Sequence, residues 1–164
     1  MESVREAYLI SSNLTDQLLL NLMGVVICLY SLQIELRKER NPEYRAYCDI
    51  NERMSCSKVL TSKYSQGFGV VHLLLGKNHM LNARNCNVGL VVYVLNIMLC
   101  IMGPGPLTSR LLYYGALIMV LGCVYLACVL FFILHDVCLV CITTYVINGC
   151  LLYLAHSTYS KLYQ

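Results

Sequence analysis

Two cysteines near the end of the chain have the spacing of a redox-active pair. Cys138 and Cys141 are separated by two residues and stand at the start of an apolar run. Two thiols on the first turn of a helix can form and open a disulfide, and the helix N-terminus stabilises the reactive thiolate. Tyr145 and Asn148 follow at helical spacing, which places them on the same face below the pair. The pattern predicts a dithiol that exchanges electrons with a ligand on this face.

The same Cys-x-x-Cys pair is also compatible with a pair of inert buried thiols or with half of a structural zinc site. A structural zinc site needs four ligands, and His135, Cys48 and Cys56 are available to complete one. However, seven residues separate Cys48 from Cys56, whereas zinc knuckles use about two to four. We therefore favour a redox dithiol and expect no metal site.

The second pair, Cys48 and Cys56, has two interpretations that the residues alone leave open. It is either a static disulfide that closes the loop or a shuttle pair. As a shuttle, one of its thiols would attack the Cys138–Cys141 disulfide through a mixed disulfide, and an external dithiol would then reduce the shuttle.

The composition indicates that a membrane surrounds these cysteines. Hydrophobic residues make up 58% of the 164 residues and charged residues 13%, about half the charge of a soluble domain. The net charge is +3 and no basic run is interleaved with aromatic residues, so we expect lipid and not nucleic acid as a partner. Five cysteines inside apolar runs are interpreted as small apolar filler: Cys28, Cys100, Cys123, Cys128 and Cys150.

The hydropathy pattern predicts a single membrane domain over residues 1–164 with four spans. The predicted spans cover about residues 14–36, 88–102, 111–134 and 138–155. A long polar loop, residues 37–87, separates the first two spans. Within it, residues 67–76 are apolar but too short to cross a bilayer, which favours an interfacial or re-entrant anchor.

Four spans place the 37–87 loop and the 135–137 link on the same side of the membrane. Both cysteine pairs therefore face one compartment, whichever way the chain inserts. The orientation itself stays open at this point. The positive-inside rule favours a cytosolic loop, because nine of the twelve Lys and Arg residues lie there, whereas disulfide chemistry favours an oxidising lumen.

Several motifs, in order over residues 18–155, resemble the vitamin K epoxide reductase family. They are Tyr44-Arg45-Ala46-Tyr47-Cys48-Asp49, Ser55-Cys56-Ser57, Gly67-Phe68-Gly69, Leu81-Asn82-x-x-Asn85 and Cys138-Leu139-Val140-Cys141-Ile142-Thr143-Thr144-Tyr145. The resemblance implies an all-α membrane protein: a four-transmembrane-helix bundle with a lumenal cap loop and a short membrane-anchored segment. It also implies an endoplasmic reticulum location, with several spans and an active site that faces the lumen.

The resemblance assigns roles to the cysteines. It implies that Cys138 and Cys141 are the catalytic pair and that Cys141 is the thiolate that meets the substrate. Cys138 would resolve it and receive electrons from a relay pair, Cys48 and Cys56. The implied substrates are vitamin K epoxide and quinone, with no tightly bound cofactor. A thioredoxin-like lumenal dithiol protein is the implied electron donor.

The resemblance also assigns substrate contacts. Asn85 and Tyr145 would hold the two oxygens of the naphthoquinone head. Without the resemblance, Asn85 is explained equally well as an ordinary helix cap, and Tyr145 is also compatible with plain packing or an interface anchor. The implied apolar walls are Phe68, Tyr93 and Leu126.

The family further implies inhibitors of the 4-hydroxycoumarin type. This chain, however, has Tyr64 and Cys128 where many relatives have Trp, so inhibitor sensitivity is not carried over.

Three functions follow from these observations. The first is thiol-dependent reduction of vitamin K epoxide to quinone and of quinone to hydroquinone. The second uses the same cysteines in reverse, as a disulfide-forming oxidoreductase that passes electrons from secretory dithiols to a quinone. The third is a non-catalytic membrane scaffold or metal-binding protein.

Overall fold

The protein is a bundle of long helices with a small cap at one end. The computed structural model describes residues 2–51, 53–69, 71 and 82–163. Its α-helices are α1 (Glu2–Arg40), α2 (Cys56–Leu60), α3 (Asn85–Met102), α4 (Pro106–Cys128) and α5 (Leu139–Tyr163). A π-helical stretch, Val129–Leu134, continues α4, and Gly67–Gly69 form a 3-10 helix. Over the described residues, extended pairing is limited to isolated bridges.

Four helical stretches are long and apolar enough to cross a membrane. They are Arg5–Arg40, Asn85–Met102, Pro106–Leu134 and Leu139–Leu162. The predicted all-α class and four spans are therefore confirmed. The helices are longer than the predicted spans because hydropathy reports the hydrocarbon-crossing part and not the helix. At the far ends of α1 and α5, for example, Asn13 donates hydrogen bonds to Ser157 and Thr158, each at 3.3 Å, so polar contacts continue the packing.

The packing order of the helices determines which walls face each other. α1 packs against both α3 and α5, and α4 packs mainly against α5. Consequently α3 and α5 lie on opposite sides of the space between the helices. The contact between α1 and α3 is close: a Cβ atom at Gly24 would lie 2.6 Å from the ring of Tyr93. Glycine at this position allows the Tyr93 ring to lie against the backbone of α1.

The cap is organised by one carboxylate. Asp49 accepts hydrogen bonds from the backbone N–H groups of Ala46 (2.8 Å) and Ser57 (2.9 Å) and from the hydroxyls of Ser57 (2.6 Å) and Ser55 (3.1 Å). Burial acts to raise the pKa of Asp49, but these hydrogen bonds, those of Ser57 first, outweigh it and hold the pKa below its ordinary value. Ser55 also caps α2, so the segment around Cys56 has a defined conformation.

The cap docks on the link between α4 and α5. The Val137 N–H donates to the Arg53 carbonyl at 2.8 Å, and Lys58 pairs with Asp136 at 2.7 Å. Asp136 is buried whereas Lys58 is exposed. These contacts place the cap beside Cys138, as the even number of spans predicted.

The predicted short anchor over residues 67–76 falls mainly outside the described residues, since residues 70 and 72–81 are not described. Its first part is the 3-10 helix Gly67–Gly69, in which Phe68 has a positive φ of 55°. The Leu81 position of the Leu-Asn-x-x-Asn motif also lies outside the described part of the chain.

Candidate active site

The two sulfurs of the Cys-x-x-Cys pair lie 2.7 Å apart at the start of α5. Cys138 directly precedes the first helical residue, Leu139, so it occupies the cap position and not the first turn as predicted. Its carbonyl accepts from the Ile142 N–H at 3.0 Å, and its sulfur accepts from the Cys141 N–H at 3.3 Å. The Cys141 thiol donates to the same sulfur. The hydrogen bond from this thiol lowers the pKa of Cys138, and hydrogen bonds from backbone N–H groups lower it further. Burial acts in the opposite direction but does not outweigh them.

The two sulfurs face different surroundings. Cys138 is fully buried within the core cluster, whereas Cys141 lines a cavity of about 250 Å³ between the helices. Cys138 is not part of the cavity wall. The cavity therefore meets one member of the pair, and the other stands behind it.

The cavity brings together all five side chains that the sequence assigned to the substrate. Its lining includes Phe68, Asn85, Tyr93, Leu126 and Tyr145. Asn85 comes from α3 and Tyr145 from α5, helices on opposite sides of the cavity. Two polar side chains thus approach an apolar space from opposite walls, which is typical of a small-molecule site.

Asn85 does not cap α3, so the helix-cap alternative for this residue is wrong. The cap position belongs to Arg84 and has no side-chain hydrogen bond. Instead, the Asn85 amide oxygen accepts from the Phe68 N–H at 3.0 Å, and its NH₂ group donates to the Tyr64 carbonyl at 2.7 Å. An NH₂ group has two donors, so a second N–H remains for a ligand. Asn85 joins α3 to the 3-10 helix.

The 3-10 helix carries Phe68 into the cavity wall. Gly67 and Gly69 have positive φ angles of 54° and 73°, which glycine adopts at low cost. A Cβ atom at Gly69 would overlap the Tyr64 ring. The Tyr125 hydroxyl donates to the Phe68 carbonyl at 3.0 Å, which ties this turn to α4.

The cavity also has a polar network that the sequence reasoning missed in part. The Tyr93 hydroxyl donates to the Asn148 amide oxygen at 2.9 Å, and the Asn148 NH₂ lies 3.1 Å from the sulfur of Cys123. Tyr93 was expected as an apolar wall, and its buried hydroxyl is satisfied inside this network. The signal was present, because Asn148 follows Cys141 and Tyr145 at helical spacing. Tyr145 itself makes no hydrogen bond to the described residues.

Glu35 is a further cavity residue that sequence reasoning did not assign. It lies near the end of α1, close to the end of the first predicted span. In the structure its side chain is 4% exposed and lies 3.2 Å from the Arg84 guanidinium. A carboxylate within a predicted span was the signal that could have identified it.

The second cysteine pair forms a disulfide close to the first. Cys48 and Cys56 are bonded, with Cα atoms 5.8 Å apart. Cys56 is fully buried and Cys48 is half-buried. Both pack in the same hydrophobic cluster as Cys138 and Cys141. The structure thus brings the two pairs together at one end of the bundle, as the topology predicted.

Comparison with known proteins relates this arrangement to a family. The sequence pattern of the vitamin K epoxide reductase family matches residues 17–156. The chain is 41% identical to vitamin K epoxide reductase complex subunit 1 of Rattus norvegicus over 140 residues, which cover 85% of this chain and 86% of the rat protein. It is 43% identical to the protein of the same name from Mus musculus over 133 residues, which cover 80% and 81% of the two chains.

Proposed function

The chain belongs to the vitamin K epoxide reductase family, and from this we propose that it reduces vitamin K epoxide to the quinone and the quinone to the hydroquinone with the Cys138–Cys141 dithiol. One observation carries the proposal: Cys141 lies in the wall of an apolar cavity inside a membrane bundle, with Cys138 directly behind it. A fat-soluble quinone partitions into the membrane, and such a cavity accepts its ring system away from water.

The polar groups of the cavity suit a ring with two oxygens. A naphthoquinone carries its carbonyl oxygens on opposite edges of one ring, and both are acceptors. Asn85 and Tyr145 approach from opposite walls, and each has a donor available within the described structure. Phe68 and Leu126 supply apolar contacts for the ring. Donors that are fixed before the substrate binds stabilise negative charge as it develops on the oxygens.

The chemistry needs a nucleophilic sulfur and a place for its proton. In the resting pair Cys141 donates to Cys138, whose pKa is lowered. The Cys141 sulfur attacks an epoxide carbon, which breaks the C–O bond, and Tyr145 or a bound water relays the Cys141 proton to the opened oxygen. The Cys138 sulfur then attacks the Cys141 sulfur and breaks its bond to carbon, while the hydroxyl group leaves with the Cys138 proton as water. Epoxide and dithiol thus give quinone, disulfide and water.

The second round uses the same groups. Two electrons and two protons pass from the dithiol to the quinone, which becomes the hydroquinone, while the Cys138–Cys141 disulfide forms again. Each round therefore consumes one dithiol, and turnover requires that the disulfide be reopened.

The location of the loop pair near Cys138 supports a role for it in that step. An external dithiol attacks the half-buried Cys48, which breaks the Cys48–Cys56 disulfide and frees the Cys56 thiolate. Cys56 is buried in the same cluster as Cys138, and its attack on Cys138 releases the Cys141 thiolate. The second thiol of the donor then frees Cys48, and Cys48 attacks Cys56, which re-forms the Cys48–Cys56 disulfide and releases the Cys138 thiolate. We propose a thioredoxin-like lumenal dithiol protein as the external donor, and an endoplasmic reticulum membrane whose lumen permits disulfide chemistry.

An activity assay tests the proposal. Membranes that contain the chain are expected to convert vitamin K epoxide to quinone and quinone to hydroquinone with a dithiol reductant, and Cys141→Ala is expected to abolish both reactions. Cys150→Ala is the matched control, since Cys150 is a free, exposed cysteine outside the cavity. Full activity of Cys141→Ala would contradict the proposal. Quinone-dependent oxidation of dithiols without epoxide turnover would favour the reverse, disulfide-forming reaction.

A further inference from the structure

The cap exposes two large hydrophobic side chains next to the loop disulfide. Tyr47 is 95% exposed and Ile50 is 63% exposed. Every other exposed large hydrophobic side chain among the described residues belongs to one of the four spanning stretches, where lipid covers it. Tyr47 and Ile50 lie outside those stretches. Single exposed hydrophobic residues are common on protein surfaces, but this pair flanks a cysteine that the proposed reaction uses.

Tyr47 and Cys48 form the tip of a turn whose base is fixed inside the cap. The Asp49 N–H donates to the Ala46 carbonyl at 3.0 Å, and the Asp49 carboxylate accepts from the Ala46 N–H at 2.8 Å. Ala46 is buried, so the base of the turn is held while its tip faces outward. The exposed side chains are therefore held in place before a partner binds, which lowers the entropic cost of binding.

The position of this pair indicates the chemistry of its partner. Cys48 is half-buried, and it is the sulfur that an external thiolate attacks in the proposed electron path. In the mixed disulfide the donor is bonded to Cys48 itself. Tyr47 is the adjacent residue and Ile50 is two residues away, a reach of about 7 Å at most along the chain. The surface around the donor's reactive cysteine must therefore contact them.

Charge does not distinguish this surface. Glu43, Arg45, Glu52 and Arg53 flank the turn in sequence, and their charges cancel. A surface of mixed charge has little attraction for anionic lipid headgroups, which bind clusters of basic residues. The apolar side chains are thus the feature that a partner can recognise, and tyrosine is among the residues that contribute most to binding at protein interfaces.

We propose that Tyr47 and Ile50 form the docking surface for the protein that reduces the Cys48–Cys56 disulfide, and that this protein has an apolar groove beside its reactive cysteine. Its thiolate attacks the Cys48 sulfur and breaks the Cys48–Cys56 bond, and its second thiol resolves the mixed disulfide. The donor leaves as a disulfide. When the catalytic pair is already reduced, the two electrons and two protons remain on Cys48 and Cys56. The inference rests on the proposed function for the direction of electron flow.

The test compares a protein reductant with a small one. The full chain in lipid nanodiscs, with no quinone or epoxide added, is mixed with a reduced thioredoxin-like domain of protein disulfide isomerase or with dithiothreitol. Alkylation and mass spectrometry give the rate at which Cys48 and Cys56 become thiols. Because no vitamin K is present, this rate does not depend on quinone chemistry. Failure of the proposed function would appear in the epoxide assay instead.

The double variant Tyr47→Ser with Ile50→Ser is expected to slow reduction by the protein domain roughly tenfold or more. Reduction by dithiothreitol should stay within about twofold of wild type, because a small dithiol needs no docking surface. Tyr8→Ser is the matched control, since Tyr8 is 72% exposed near the start of α1, at the opposite end of the bundle. Tyr47→Phe with Ile50→Leu keeps the surface apolar and should keep the wild-type rate.

Three results would overturn the inference. Equal rates for wild type and the double serine variant with the protein domain would show that the donor does not contact these side chains. Equal slowing with both reductants would show that the substitutions alter the disulfide itself. The third result uses the absence of tryptophan from the chain: Tyr47→Trp introduces a single one, and quenching of its fluorescence by brominated lipids would assign the surface to the membrane.

Discussion

Cys138 and Cys141 have the same chemistry and different environments. The sequence spacing predicted that they form a pair, but spacing alone does not show which sulfur meets a ligand. In the structure Cys141 borders the cavity, while Cys138 receives hydrogen bonds at the cap position of α5. The spacing was therefore enough to predict the pair. Which of the two sulfurs meets a ligand depends on which face of α5 lines the cavity.

For two other cavity residues, too, the sequence pattern alone did not determine what the side chain contacts. Asn85 was expected either to cap a helix or to hold a ligand, and the structure shows that it joins α3 to the Phe68 turn. Glu35 received no role, because its place near the end of a predicted span does not show which way its side chain faces. Its position in the cavity follows from the rotation of α1 in the bundle, which no local pattern specifies.

Tyr145 gives a prediction about a single side chain. Tyr145→Phe removes the hydroxyl and keeps the ring, so the cavity should remain intact while one donor to the substrate oxygen is lost. We expect kcat for epoxide reduction to fall by about 100-fold or more, in the range of a lost proton donor. Tyr153→Phe is the matched control, since Tyr153 lies on the same helix and is 74% exposed. Similar kcat values in the two variants would remove Tyr145 from the reaction.

At the scale of elements, the number and order of the spanning helices were predictable because each apolar run has the length of a span. Their packing was not, because close approach depends on which glycine faces which ring. Gly24 and Gly115 both lie in spanning helices, yet only at Gly24 would a Cβ atom meet a ring, that of Tyr93.

Gly24→Ala is therefore expected to destabilise the contact between α1 and α3. The added methyl group would overlap the Tyr93 ring, and overpacking of this kind costs about 1–3 kcal/mol. The matched variant Gly115→Ala has no neighbour within 4 Å and should be neutral or slightly stabilising, as alanine favours helices. Thermal unfolding in detergent measures both, and a lower transition temperature for Gly115→Ala than for Gly24→Ala would contradict the packing argument.

The cap gives a prediction about pH. The pKa of Asp49 is lowered from 3.8 in the folded cap because its hydrogen bonds outweigh its burial. The stabilisation from this carboxylate is therefore fully present above about pH 4 and is lost as the pH falls through the lowered folded value. Hydrogen exchange of the cap amides should show this loss in wild type, while Asp49→Asn should be less protected above about pH 4 and should approach wild type below the folded pKa.

The exposed Glu43 provides the control for that experiment. Glu43→Gln should follow the wild-type pH profile, since the side chain of Glu43 makes none of the contacts that organise the cap. Equal protection in wild type and Asp49→Asn above pH 4 would show that the carboxylate does not hold the cap.

At the scale of the whole molecule, parity of the spans predicted that both cysteine pairs lie at one end, and the structure confirms it. The contacts that bring them together were not predictable, because Lys58–Asp136 and Arg53–Val137 join segments that are distant in sequence. Residues 70 and 72–81, which include part of the predicted anchor, lie outside the described structure.

The most direct test of the proposed electron path is a count of electrons in a single turnover. The chain is fully reduced, freed of reductant and given excess vitamin K epoxide, and the products and disulfides are quantified by mass spectrometry. A double variant, Cys48→Ser with Cys56→Ser, should deliver one two-electron equivalent and end with a Cys138–Cys141 disulfide. Wild type should deliver two equivalents and form both disulfides. Product formation by the double variant with Cys138 and Cys141 still as thiols would contradict the account.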